Sequence, residues 1–81
     1  MDFEEFEVIG PIRRVKTIAS GRRVKARDRL NQLFGLGRWK KRKAEATVRM
    51  RSDGSIRKAE IHWFEAHGVG RVLGKIKYFL D

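Results

Sequence analysis

The chain has no cysteine, so no disulfide framework, thiolate metal site or cysteine nucleophile is available to it. It has no apolar run near the ~18 residues of a membrane span. Its first ten residues, MDFEEFEVIG, are acidic where a secretory signal would be basic, so a cytoplasmic location is expected. Anions are scarce elsewhere. Ten Asp/Glu stand against twenty Lys/Arg, and the net charge is +10. At 81 residues the sequence holds one domain, residues 1–81. A chain this short buries only about 60% of its unfolded surface, so the core is modest and the oligomeric state stays open.

The charge is unevenly placed. Pro11 to Arg51 carries fifteen cations against Asp28 and Glu45, whereas residues 1–10 carry four anions and no cation. A field this positive draws polyanions and speeds their encounter. RNA or another nucleic acid is the expected partner. A membrane surface is not expected, because no basic helix here carries a long apolar face.

Residues 1–20 read as an N-terminal strand or arm, with Gly10-Pro11 breaking the run. One amphipathic helix is expected over 22–34, where Ala26, Leu30, Leu33 and Phe34 form a stripe facing a core. Ser20 is placed to cap its start and Gly35 to end it. Arg22, Arg23, Lys25 and Arg29 occupy the other side. Leu36 to Lys43, LGRWKKRK, is the densest cation cluster. Arg38, Lys40, Lys41, Arg42 and Lys43 would meet phosphates, while Trp39 either stacks on a base or anchors the loop in the core. Arg49 and Lys77 extend this candidate binding set.

Residues 44–80 read as an antiparallel meander. Ala44, Ala46, Val48 and Met50 alternate with Glu45, Thr47, Arg49 and Arg51. Asp53-Gly54 signals a two-residue type I′ turn. Centring the turn there pairs Val48 with Ala59, Ala46 with Ile61 and Ala44 with Trp63. Ala66 to Gly70 forms a second hairpin loop. The expected fold is α+β, one helix packed on a three- to four-stranded antiparallel meander. Glu60, His62, Lys75 and Lys77 would then share one outward face, with His67 and Arg71 at its loop end.

Two motifs fail on spacing. Gly68-Val69-Gly70-Arg71-Val72-Leu73-Gly74-Lys75 matches neither the dinucleotide fingerprint nor the P-loop. His62 and His67 are five apart and lack the helical spacing of zinc signatures, so no metal or other cofactor is expected. An acid/base set survives. Cutting RNA needs a base for the 2′-hydroxyl, an acid for the leaving oxygen and fixed cations for the phosphorane. His62 and His67 would be the acid/base pair, Glu65 or Glu60 an orienting or basic group, and Arg71 and Lys75 the phosphate clamps.

The motifs Gly37-Arg38-Trp39, Ala59-Glu60, His62-Trp63, Glu65, His67-Gly68, Gly70-Arg71 and Lys75-Ile76-Lys77 resemble a pattern of small bacterial proteins and C-terminal domains of polymorphic toxins. The order of elements is similar to RelE, EndoU and colicin-type ribonuclease toxins. The resemblance covers half to two-thirds of the chain, though it shows one helix rather than two. It implies a small, metal-independent endoribonuclease, and an acidic antitoxin-like protein as a second partner. Two other functions compete with that expectation: a non-catalytic nucleic-acid-binding module, and an adaptor for an acidic protein.

Overall fold

The computed structural model describes residues 1–81. Four strands, β1 (Phe6–Ser20), β2 (Lys40–Met50), β3 (Ile56–Ala66) and β4 (Gly70–Phe79), form one antiparallel sheet in chain order. A 3-10 turn at Gly21–Arg23 and a helix, α1 (Arg27–Phe34), occupy the β1–β2 connection. The architecture is the expected α+β one, with the sheet dominant.

The alternation in β2 and β3 divides the sheet into two faces. Ala44, Ala46, Val48, Ala59, Ile61 and Trp63 share the first, with Phe6 beside them, and all are buried. Met1, Phe3, Val8, Ile12, Met50 and Ile76 close over this packed face. Each fully buried large side chain here, such as Val48, Ile61 or Trp63, contributes roughly 1.5–3 kcal/mol of apolar burial. The opposite face carries Glu60, His62, Phe64 and Ala66. The helix lies over its Ala66 end, where Val24, Leu30, Trp39 and Ala66 make a second small core. It therefore shares a face with His62.

Several boundaries differ from expectation. β1 does not stop at Gly10-Pro11. It bends there, shifting register between Ile9 and Arg13, and again beside Arg14, whose φ is 54°. As an edge strand it tolerates the amide that Pro11 lacks. The helix starts at Arg27 rather than Arg22, because Val24 turns extended to bury its side chain. Ser20 is tied to Lys40 in the sheet and caps nothing. Gly35, at φ 96°, does end the helix. A two-turn helix brings only Leu30 fully to the sheet, and Leu33 stays 54% exposed.

The β2–β3 register is offset by two residues. Ala46 faces Ala59, Ala44 faces Ile61 and Arg42 faces Trp63. The connection is a four-residue loop, Arg51–Gly54, and not a two-residue turn. Asp53 accepts the Ser55 amide at 2.9 Å, and Gly54 alone takes a positive φ, 74°, donating to the Met50 carbonyl. A shift of two residues preserves which face each side chain takes, so the apolar matching survives. In β4, Leu73 adopts φ 53° at a register shift. Val72 consequently joins the helix-side core while Ile76 joins the packed face.

Candidate nucleic-acid interface

Directly opposed residues of an antiparallel sheet share a face. Lys16 opposes Lys43, Lys43 opposes His62, and His62 opposes Lys75. A transverse row, Lys16–Lys43–His62–Lys75, thus crosses all four strands on the helix side. At ~4.8 Å per strand it spans about 14 Å. The row above it holds Lys41, whose ammonium lies 5.9 Å from the centre of the Phe64 ring. The row below holds Glu45, Glu60 and Tyr78.

Within this face one hydrogen-bonded chain stands out. The Tyr78 hydroxyl donates to Glu60 Oε1 at 2.9 Å, and His62 Nε2–H donates to Glu60 Oε2 at 2.8 Å. The bond from His62 is the main reason the Glu60 carboxyl is held below its ordinary value, with the Tyr78 hydroxyl and the charge of Lys43 adding to it. Glu60 in turn raises the Tyr78 phenol. His62 is only 9% exposed, and its Nδ1 has no hydrogen-bond partner. Glu60, rather than Glu65, is therefore the carboxylate that orients this imidazole.

The other residues expected beside His62 are dispersed. His67 sits exposed in the β3–β4 turn, beyond four further residues of strand, about 13 Å along β3. The two imidazoles do not form one acid/base pair. Arg71 opposes Glu65, and both belong to the packed face. There the Arg71 guanidinium lies 5.5 Å from the Trp63 ring, while Glu65 accepts Trp63 Nε1–H at 2.9 Å and pairs with Arg42 at 3.6 Å. Lys75 does flank His62. Lys77 is exposed at a register shift between the Ile76 and Tyr78 pairs. His62 lines none of the three principal clefts, and no three metal-ligating side chains converge.

No family model, curated protein or solved structure matches this chain. The likeness to ribonuclease toxins rests on the sequence motifs alone.

That surface is segregated. Residues 13–43 hold thirteen Lys/Arg and the single anion Asp28. Only Arg14, Arg27 and Arg42 among them meet a carboxylate, at 3.5, 4.0 and 3.6 Å. Arg22, Arg23, Lys25 and Arg38 are exposed around the helix, and Lys40, Lys41 and Lys43 lead into β2. The acidic N-terminus instead covers the far end, where Glu7 pairs with Arg49 at 2.8 Å and Asp2 with Arg51. Arg49 and Arg42 are thereby neutralised members of the expected binding set. Of the two roles open to Trp39, the structure shows the anchor. It is fully buried, donates Nε1–H to Asn31 Oδ1 at 2.9 Å, and is not free to stack on a base.

Two participants are invisible to the sequence alternation. Tyr78 follows the parity of Val72 and Ile76 in the sequence, and only the β4 register shifts turn it toward Glu60. Lys16 lies in a weakly patterned stretch, and its place on this face follows only from its pairing with Lys43. No helix of the chain is long and apolar enough to cross a membrane.

Proposed function

We propose that the protein is a non-catalytic nucleic-acid-binding module, with RNA as its expected polymer. The observation that supports this best is the contrast between the two ends of the sheet. Unpaired cations surround the helix end, while the acidic arm is ion-paired at the other. Lys16, Lys41, Lys43 and Lys75 share one face, so a polyanion laid across the strands meets ammonium groups in successive rows. The carboxylates of that face, Glu45 and Glu60, lie together in the row below, where Glu45 pairs with Arg14 and Glu60 accepts from His62 and Tyr78, so the rows above stay cationic. The dispersal of His62, His67, Glu65 and Arg71 favours binding over cleavage.

The test is fluorescence anisotropy with single-stranded RNA, duplex RNA and single-stranded DNA, in EDTA and across a salt series. Affinity is expected to fall with salt at a slope of about −0.7 per neutralised single-strand phosphate. A Lys16→Gln/Lys41→Gln/Lys43→Gln variant, shown folded by circular dichroism, should flatten that slope by about 2. Affinity indifferent to salt and to this variant would refute the proposal. Cut RNA in the EDTA samples would restore the ribonuclease.

A further inference from the structure

His62 presents a problem that the fold alone does not solve. Its ring lies on the helix-side face between Lys43 of β2 and Lys75 of β4, nine-tenths buried, with Nε2–H committed to Glu60. Glu60 can only accept, so the neutral ring keeps its lone pair on Nδ1. That nitrogen is buried and meets no donor, although buried polar groups are almost always satisfied. Two lysines also oppose this imidazole, one on each neighbouring strand. Both features make sense if an anion completes the cluster.

We propose that His62, with Lys43 and Lys75 on either side, is a seat for one backbone phosphate of the bound nucleic acid, taken up together with a proton. This rests on the nucleic-acid reading above and assigns its central contact. Protonated, Nδ1 becomes a donor, and the ring sits among two ammonium groups and one carboxylate. A phosphodiester drawn between the lysines supplies the missing negative charge and an acceptor oxygen. The proton and the phosphate then favour each other's binding. Every charged or titratable group facing the ring fits this account: Lys16 on β1, Lys43 and Glu45 on β2, Glu60 on β3, Lys75 and Tyr78 on β4. Glu60 keeps its charge throughout because its carboxyl is held low, so it orients the ring in both states. Lys75 is exposed and Lys43 half-exposed, so both ammonium groups are free to turn toward an anion beside the ring.

The seat gives the interface a signature that a plain cationic surface lacks. Phosphodiesters do not titrate between about pH 5 and about pH 8, whereas histidine does. Oligouridylate affinity at constant salt should rise roughly tenfold from the top to the bottom of that range, the equivalent of about one unit of linked shift. His62→Gln, which retains a donor, should flatten the profile at the high-pH affinity, and Lys75→Gln should reduce its amplitude. His67→Gln should leave it unchanged.

A second arm does not depend on RNA. Sulfate keeps its charge over this range, so the two histidines can be followed by NMR with and without sulfate at matched ionic strength. The titration midpoint of His62 should move up while that of exposed His67 stays, giving an internal reference. A pH profile that persists in folded His62→Gln, or a sulfate response shared equally by both rings, would overturn the seat while leaving RNA binding intact. A selective sulfate response in a protein that binds no RNA would instead support the anion seat and sink the nucleic-acid reading.

Discussion

Replacing Trp39 with phenylalanine separates anchoring from ligand contact. The indole is fully buried against Val24, Leu30 and Ala66, and its N–H holds the Asn31 side chain. Phenylalanine loses that hydrogen bond, a net of about 1 kcal/mol, and leaves the Asn31 oxygen short of a donor. The smaller ring adds about 1–2 kcal/mol of lost packing. A total near 2–3 kcal/mol is a large share of a fold this size, whose whole stability is on the order of 4–12 kcal/mol. Urea unfolding followed by far-ultraviolet circular dichroism measures the loss without relying on the deleted fluorophore. Asn31→Ala should cost about 1–3 kcal/mol by stranding the indole N–H. The double variant should then be less damaging than the sum, with a coupling of about 1 kcal/mol. RNA affinity of folded Trp39→Phe should stay within about twofold, since the ring touches no ligand. Unchanged stability combined with a tenfold loss of RNA affinity would refute this reasoning, because the indole would then be a stacking surface.

Other consequences follow from the hydrogen-bond chain and the turns. Glu60 is depressed in the folded state, so its contribution is present above the ordinary glutamate value of 4.5 and is lost as pH falls below it. Acid unfolding should therefore be less steep in Glu60→Gln, and an identical acid limb would remove the His62–Glu60 bond from the account. Tyr78→Phe should raise the Glu60 titration midpoint seen by carboxyl NMR, because one of its donors is gone. Gly54→Ala should cost about 1–2 kcal/mol in a urea titration, since φ 74° places a Cβ against the carbonyl. A neutral result there would argue for a different turn.

Face assignment was legible from the sequence and register was not. Alternation placed Ala44, Ala46, Val48, Ala59, Ile61 and Trp63 together, and the structure keeps them together. The offset of two residues is invisible to that pattern, because an even shift preserves every face. Asp53-Gly54 suits a type I′ turn, yet Asp53 instead spends its carboxylate on the Ser55 amide, which favours a longer loop. The site suffered from the same limit. Glu60 and His62 are two apart on one strand, so their meeting was readable. Glu65 and Arg71 depend on parity: Glu65 lies on the odd side of β3 with Trp63, and Arg71 is paired to it. Tyr78 reached Glu60 only through irregularities in β4 that hydrophobic periodicity does not register. His67 failed for reach, since a strand extends where a helix would have folded five residues back.

The two outer strands repay a last look. β1 beyond Val8, where residues 1–3 no longer cover it, and β4 each present an outer edge, and a straight edge of that kind is a template on which further copies can add. Neither is straight. Arg14 and Leu73 both turn left-handed part-way along, interrupting the register of β1 and β4, and lysines flank the breaks at Lys16, Lys75 and Lys77. An incoming strand would find only a few consecutive partners before the ladder veered off and like charges met. The kinks that made these strands hard to read are what should let the protein be concentrated without growing into ribbons.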